Sequence, residues 1–272
     1  MAPPWLIYPN LSRFSMGWRM GYGESYIDSF FEWFPRLNLN AQNKYTELFP
    51  EPKSWLGWYK NDITERIKEK FFDEGVLIWK SNYSVQYVQK ELENTRRMEF
   101  LFFWGHEKLK DGEITKSCLS QWWKSKFSID TYTYCCMEQY LMASKARLFN
   151  DEKTLEKIMK SSNPKKIKAL GRRVKNFKEE IWKDRRYSII VNGNLSKFLQ
   201  NQKLLNYLLD TQDKILVEAN PYDKIGGVGM AADNNKIINP LNWKGENLIG
   251  FALMDVRDEL RHICKNYKLL NL

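Results

Sequence analysis

The stretch "MEQYLMASKA" (137–146) predicts an amphipathic helix with two charges on its apolar side. At about 100° per residue, one arc of this helix collects the apolar residues Met137, Leu141, Met142, Leu148 and Phe149. Glu138 and Lys145 fall in the middle of that arc, whereas Gln139 and Arg147 are expected on the opposite, polar side. A carboxylate and an ammonium group therefore lie in the stripe that should face the core, which requires a physical reason.

Glu138 and Lys145 share one face of the predicted helix. Seven residues make nearly two turns, so the two side chains point within about 20° of each other and lie about 10 Å apart along the axis. That distance is too long for a direct ion pair but suits two groups that line one pocket. Alternatively, each charge pairs with another element or extends its charged end into solvent. Periodicity alone leaves both interpretations open.

The bulk composition favours a globular protein without a metal centre. The 272 residues are 43% hydrophobic and 15% aromatic, which supplies a real core for one or two domains and excludes wholesale disorder. The four cysteines have no CxxC spacing and there are two histidines, so neither a metal site nor a cofactor is expected. No signal peptide or membrane-length apolar run is found, and we expect a cytoplasmic protein.

Positive charge is concentrated in one part of the chain. The net charge is +10, and the segment 153–186 alone holds thirteen Lys and Arg against four Asp and Glu. Such a basic segment favours a polyanionic partner, with nucleic acid as the first candidate. A solvated helical face without a ligand is the alternative.

Residues 1–95 and 96–272 differ in texture, and we interpret them as two domains. The first contains six of the eleven Trp, and "SYIDSFFEWF" (25–34) and "DITERIKEKFFDEG" (62–75) predict short amphipathic helices there. It is expected to be an aromatic-packed helical module of unknown role. The second is expected to contain strands at 98–107, in 118–134 as a strand or hairpin, and at 213–219. Helices are predicted from Pro164, across 178–211 with a break at 192–194, and over 245–267.

Two further segments carry candidate chemistry. In "LVEANPYDKIGGVG" (216–229), Gly226, Gly227 and Gly229 permit close approach of the backbone to a ligand, and Asp223 precedes them. The pattern is neither a dinucleotide-binding loop nor a P-loop, so a plain connector stays open. In the basic segment, Arg172 after Gly171 suits phosphate binding and Trp182 suits stacking on a base. An exposed basic helix with a core Trp is the alternative.

These pieces together resemble one family. "FFWG", "LSQW", "MEQYLMASKARLF", "PKKIKALGRRV", "GNLSKFLQN", "LVEANPYDKIGGVGM" and "GENLIGFALMDVRDELR" occur in the order seen in the NADAR/YbiA-like family, over residues 100–261. The resemblance implies an α+β, mainly α fold, to which residues 1–95 are a helical extension. It also implies N-glycosidase activity: YbiA-type members cleave riboflavin-pathway intermediates, and others remove ADP-ribose from guanine. Some of the latter are antitoxins to DarT-type DNA ADP-ribosyltransferases.

The resemblance also implies the site residues. Glu138, Lys145 and Asp223 correspond to catalytic positions, and substrate contacts are expected from Trp104, Gly105, Ser120, Gln121, Trp122, Arg172, Trp182, Glu218, Gly227 and Gly229. ADP-ribosylated guanine in DNA is the expected substrate, and a DarT-type toxin the expected partner. Hydrolysis of riboflavin intermediates, or non-catalytic binding of ADP-ribose or a toxin, are the alternatives. The family loop reads D-x-x-W-G-x-G, whereas Gly226 stands here in the position of the Trp. We expect the pocket to be wider, or closed by Trp104, Trp122 or Trp182.

Overall fold

The N-terminal part of the chain packs short helices around aromatic side chains in the computed structural model, which describes residues 1–60, 71–72, 76–94, 98–105 and 113–270. The helices are α1 (Pro4–Ile7), α2 (Glu24–Trp33) and α3 (Leu39–Leu48). Their buried cluster includes Trp5, Trp18, Phe30, Trp55 and Trp58. Helix α2 confirms the prediction at 25–34. The helix predicted at 62–75 lies outside the described residues except for Phe71–Phe72, which form a strand.

Polar contacts join this aromatic cluster to the rest of the chain. The backbone N–H of Ser12 donates to Asp130 Oδ1 at 3.0 Å, and the backbone N–H of Lys53 donates to Glu259 Oε1 at 2.6 Å. The side chain of Asn266 donates to the carbonyl of Leu48 at 2.8 Å. The N-terminal helices therefore sit against the β-hairpin and the last helix of the larger unit.

The larger unit is mainly helical, with six short strands, within the described part of the chain. Its buried core includes Leu77, Trp79 and Val88, which precede the expected boundary at residue 95. The strands are β1 (Phe71–Phe72), β2 (Val76–Leu77), β3 (Phe100–Phe103), β4 (Phe127–Ile129), β5 (Tyr132–Tyr134) and β6 (Ile215–Glu218). The helices are α4 (Val85–Glu93), α5 (Met137–Leu148), α6 (Glu152–Met159), α7 (Pro164–Gly171), α8 (Glu179–Leu199), α9 (Gln202–Asp210) and α10 (Leu248–Ile263). The predicted α+β, mainly α class is confirmed. None of the helices in these ranges has the length and apolarity that a membrane crossing needs.

A parallel pair of strands holds the centre of this unit. Strand β3 pairs with β6 in the register Phe100↔Ile215 to Phe103↔Glu218, while β1–β2 and β4–β5 are antiparallel pairs. Trp104 and Glu218 therefore lie at the same edge of the β3–β6 pair. Because the chain leaves both strands there, the following loops meet at that edge.

Helix α5 is buried on nearly all sides, which corrects the expected position of Gln139. Its side chain is 3% exposed instead of facing solvent. The amide oxygen accepts a hydrogen bond from the backbone of Cys135 at 2.7 Å. The amide nitrogen donates to the carbonyls of Ile158, Met159 and Ser161 at 2.9–3.2 Å. Gln139 thus donates hydrogen bonds to carbonyl groups at the end of α6, a role that helical periodicity does not predict.

Helix α8 runs unbroken through the "NGN" sequence, so the break predicted at 192–194 is wrong. The chain leaves the helix only at Gln200. Asn192 and Asn194 donate to carbonyls one turn earlier, at 2.7 and 2.9 Å, instead of forming a turn. Gly193 gives room for α5, since a Cβ on it would lie 2.4 Å from Tyr140 Cδ1. The glycine is a packing residue between two helices.

We expect Gly193→Ala to destabilise the protein by about 1–2 kcal/mol. The added methyl group would lie 2.4 and 2.5 Å from two atoms of the buried ring of Tyr140, so we expect an overpacking cost near the upper end of the typical range, about 2–3 kcal/mol. Alanine recovers only about 1 kcal/mol of helix propensity. Urea denaturation measures the difference, with the exposed Lys183→Ala in the same helix as control. A variant as stable as the wild type would contradict this packing role.

Candidate active site

Glu138 lies buried in the first turn of α5 with one carboxylate oxygen unpartnered. The side chain is 4% exposed, and Oε2 accepts from Trp122 Nε1 at 3.1 Å. Oε1 has no hydrogen-bond partner among the described residues. Burial raises the pKa of Glu138, and the nearby charge of Asp223 raises it further. Lys168, the hydrogen bond from Trp122 and Arg172 act to lower the same pKa. A buried acceptor without a partner is costly to the fold and suits a group that awaits a substrate.

Glu218 is the second carboxyl group of the site. It ends β6, its backbone N–H donates to Asn247 Oδ1 at 2.9 Å, and its Oε2 is buried without a partner among the described residues. Burial raises the pKa of Glu218 to about 8, with further contributions in that direction from Asp223 and Glu138. Lys168 acts in the opposite direction. Glu218 therefore holds a proton at neutral pH.

Asp223 is the third carboxylate, held by the loop after β6. Its Oδ1 accepts from the backbone N–H groups of Ile225 and Gly226 at 2.9 and 2.8 Å. A Cβ on Gly226 would stand 3.2 Å from both Asp223 Oδ2 and Glu218 Oε2. The two oxygens are therefore neighbours, and a side chain at position 226 would begin beside both. The same Cβ would lie 2.9 Å from Ile249 Cδ1, so the side chain of Ile249 packs against this position.

Lys168 is the cation beside these carboxylates, and the sequence reading missed it. Its Nζ lies 4.0 Å from Asp223 Oδ2 and 6.0 Å from the ring centre of Trp122. It also opposes the upward pKa shifts of Glu138 and Glu218. One sequence signal was available, since Lys168 precedes Arg172 by four residues and so shares its helical face.

Lys145 lies in an aromatic environment on the same helix as Glu138. Its Nζ is 3.9 Å from the ring centre of Phe177 and 5.3 Å from that of Trp182. Burial lowers the pKa of Lys145, and the charge of Glu179 opposes the shift. The structure thus brings Trp182 to Lys145, and brings Lys168 to the three carboxylates.

The remaining predicted residues surround the carboxylates at different depths. Gln121 is 5% exposed, and its side-chain amide has no hydrogen-bond partner among the described residues. Its backbone carbonyl accepts a hydrogen bond from the backbone N–H of Glu138 at 2.9 Å. Trp104 is 49% exposed, with its ring 6.4 Å from that of Tyr222. Arg172 is exposed at the end of α7. Of the three Trp considered for closing the pocket, Trp122 contacts a site carboxylate.

Backbone geometry accounts for the small predicted residues. Gly105 and Gly229 have φ of +84° and +66°, a region that glycine adopts readily. A Cβ on Gly227 would lie 2.6 Å from the carbonyl oxygen of Glu218, so the loop folds tightly over the end of β6. Ser120 Oγ accepts from the backbone N–H of Trp122 at 3.2 Å and stabilises the turn before that ring.

Lys197 stabilises the turn before Trp122 from the buried side, and the sequence analysis did not predict this role. The side chain is fully buried, and Nζ donates to the carbonyls of Cys118 and Ser120 at 2.6 and 3.3 Å. Burial lowers the pKa of Lys197 to about 8. Its place among apolar neighbours in α8 gave no sequence signal.

We expect Lys197→Met to remove a pH dependence of stability. The unfolded lysine titrates near 10.5 and the folded one at about 8, so the wild-type protein gains stability as the pH rises between these values. Loss of that group should lower the slope of unfolding free energy between pH 8.5 and 10 by up to about 1.4 kcal/mol per pH unit. Urea denaturation over this range tests it, with the exposed Lys203→Met as control. An unchanged slope would mean that burial does not lower the pKa of Lys197 in the folded protein.

The basic segment 153–186 exposes most of its charge to solvent. Ten of the thirteen basic side chains in 153–186 are exposed, Lys168 and Arg185 are half-buried, and Arg186 is buried against Glu246 at 3.0 Å. Over the described ranges, no group of three or more His, Cys, Asp or Glu side chains is arranged to hold a metal ion. The site therefore combines carboxylates, lysines and aromatic rings beside a basic surface.

Comparison with known proteins gives consistent matches. The NADAR domain matches residues 102–261. The chain is 41% identical over 166 residues to N-glycosidase R617 of Acanthamoeba polyphaga mimivirus, covering 59% of this chain and 96% of that protein. It is 30% identical over 132 residues to N-glycosidase YbiA of Shigella flexneri, covering 48% and 74%. The solved structure of Escherichia coli YbiA aligns with a TM-score of 0.49 at 24% identity, covering 64% of this chain and 90% of that one.

Proposed function

This chain belongs to the NADAR domain family, and from that premise we propose that it is an N-glycosidase that hydrolyses a bond between ribose C1 and nitrogen. The observation that carries the proposal is the convergence of Glu138, Glu218 and Asp223, where one oxygen of each glutamate is buried and has no hydrogen-bond partner in the described part of the chain. Cleavage of such a bond passes through a state with positive charge at C1, which nearby carboxylates stabilise. The relatives named N-glycosidases support the same reaction type.

The environments of the carboxyl groups divide their roles in this proposal. Glu218, protonated at neutral pH, donates its proton to the leaving nitrogen as the C1–N bond breaks and the electron pair passes to nitrogen. Burial raises the pKa of Glu138, and Lys168 and the Trp122 hydrogen bond oppose that rise. In its charged form Glu138 stabilises C1 and then takes a proton from the attacking water. Asp223 holds ribose hydroxyl groups or assists as a further carboxylate.

Two lysines compete for the role of a nucleophile that forms a transient Schiff base with the opened sugar. Lys145 has a lowered pKa, which favours nucleophilic use, while Lys168 is beside the carboxylates. Borohydride reduction during turnover, followed by peptide mass spectrometry, distinguishes them. Trapping that is lost in Lys145→Ala and kept in Lys168→Ala supports Lys145, and the reverse result assigns Lys168. No trapped adduct would favour direct attack by water.

ADP-ribosylated guanine in DNA is the substrate that we propose. The exposed basic side chains of 153–186 support binding of a phosphate backbone, because each phosphate contact releases counterions. The rings of Phe177 and Trp104 are partly exposed and offer apolar surface on which bases can stack. In this proposal the protein acts as an antitoxin to a DarT-type toxin, and the N-terminal helices are available for partner contacts.

The experiment compares three substrates. Purified protein is incubated with DNA containing ADP-ribosylated guanine, with riboflavin-pathway intermediates, and with NAD, and the released sugar is measured. Release from the DNA, abolished by Glu138→Gln and kept by the exposed Glu152→Gln, supports the proposal. Release from the intermediates alone would assign a YbiA-type role. Binding of ADP-ribose without release from any substrate would identify a binding module.

A further inference from the structure

Two adjacent cysteines lie where β5 meets α5, just before Glu138 in the chain. The sulfur atoms of Cys135 and Cys136 are 3.8 Å apart. Cys136 is the N-cap residue of α5 and is buried, whereas Cys135 is partly exposed. One sulfur is thus reachable from solvent and the second lies directly behind it.

The backbone around this pair is held in place. The N–H of Cys135 donates to Gln139 Oε1 at 2.7 Å, and its carbonyl accepts from the backbone N–H of Ser125 at 3.1 Å. Gln139 is itself fixed by three carbonyls at the end of α6. The spacing of the two sulfurs is therefore built into the junction of the hairpin and the helix.

We propose that Cys135 and Cys136 form a two-sulfur binding site for trivalent arsenicals. Trivalent arsenic is pyramidal, and two bonds of about 2.3 Å, the length that thiolate sulfur forms with zinc, span about 3.5 Å when they meet at about 100°. A small rotation of the two side chains from the observed 3.8 Å therefore lets one arsenic atom bridge both sulfurs. A disulfide would need the sulfurs to approach to about 2.05 Å, and the fixed backbone opposes that movement.

The surroundings favour an arsenical over a metal ion. A tetrahedral divalent ion takes four protein ligands in a closed site, and no cluster of three or more such ligands occurs in the described ranges. An organoarsenical brings its own carbon substituent and needs only two sulfurs. The dithiol pair therefore satisfies its coordination fully.

The four cysteines differ in readiness to react. The hydrogen bond between the two thiols lowers the pKa of Cys135 to about 7 and raises that of Cys136, which burial raises further. Burial raises the pKa of Cys118 to about 11 and that of Cys264 to about 12. Because the thiolate is the reactive form, reaction starts at Cys135 and the neighbouring Cys136 closes the ring.

The chemistry balances without an oxidant. Phenylarsine oxide reacts with the two thiols to form two arsenic–sulfur bonds, while both S–H bonds break and the oxygen leaves as one water molecule. Arsenic stays trivalent. The cyclic product is retained far longer than a single arsenic–sulfur bond, since loss of one sulfur leaves the other attached.

The test uses the full, reduced chain and intact-mass spectrometry, which does not depend on glycosidase activity. We expect one phenylarsine group per chain that survives excess glutathione and is removed by 2,3-dimercaptopropanol. Cys135→Ser and Cys136→Ser should each lower retention at least about 100-fold. Cys118→Ser and Cys264→Ser are the matched controls and should retain it.

Circular dichroism of each variant establishes that the serine forms are folded. A glutathione-resistant adduct that persists in folded Cys135→Ser or Cys136→Ser would overturn the proposal. So would a wild-type protein from which glutathione removes the arsenical. Because hydrolysis is not the readout, failure of the proposed function leaves this outcome unaffected.

Discussion

Glu138→Gln is expected to lower the rate of C1–N hydrolysis by about 10³-fold or more and to keep the fold. Stabilisation of charge in the transition state and proton transfer each contribute roughly 10²–10⁴ in rate. Glutamine has the same shape and keeps an oxygen for Trp122 Nε1, which donates to Glu138 Oε2 at 3.1 Å, but it has no negative charge and cannot take a proton. The measurement is single-turnover release of sugar at saturating enzyme, with melting temperature recorded in parallel.

The exposed Glu152→Gln removes a carboxylate at the start of α6 and is the control for net charge. We expect its rate to match that of the wild type. A Glu138→Gln protein that is folded and retains more than about a tenth of the rate would remove Glu138 from the mechanism. The assignment would then pass to Asp223 or Glu218.

Glu218→Gln is expected to raise stability above pH 8 and to reduce activity. The folded-state pKa of about 8 lies above the ordinary value of 4.5, so the folded wild type binds the extra proton between these values. Its stability is therefore greatest below about pH 4.5 with respect to this group, falls as the pH rises, and has lost the full amount above about pH 8. Glutamine removes that loss, worth a few kcal/mol at about 1.4 kcal/mol per pKa unit.

Urea denaturation at pH 5 and pH 9 tests this dependence. The difference between variant and wild type should be small at pH 5 and clearly stabilising at pH 9, while hydrolysis falls by about 10²-fold or more through loss of the proton donor. Glu152→Gln should show no such pH dependence. Equal effects at the two pH values would mean that Glu218 is ionised in the folded protein at neutral pH.

The sequence predicted those parts of the structure that depend on local patterns. The start of α7 at Pro164 follows from its capping signal, strands β3 and β6 from short apolar runs, and the last helix α10 from its helical pattern. The predicted break at 192–194 was wrong because Gly193 makes room for the ring of Tyr140 on another helix instead of ending its own helix. No local pattern reports such a contact.

The residues of the candidate site show the same difference between what local patterns predict and what only spatial contacts reveal. Motif resemblance named Glu138, Glu218 and Asp223, which the structure brings together. Lys168 was missed although it shares a helical face with Arg172, because its other neighbours in a basic helix make it resemble a surface lysine. Lys197 was missed because no sequence feature marks it as buried. Their roles arise from what lies opposite them: Asp223 for Lys168, and two carbonyls for Lys197.

The parallel pairing of β3 with β6 has a consequence for the order of events as the protein forms. It joins residue 100 to residue 215, and closing so long a loop is slow compared with helix formation. Helices α5 to α7 can form from neighbouring sequence, carrying Glu138 and Lys168, before Glu218 and Asp223 arrive. A nascent or proteolytically shortened chain that ends before β6 thus has helices without a carboxylate cluster. During refolding, the helical signal should return before the ability to hydrolyse substrate.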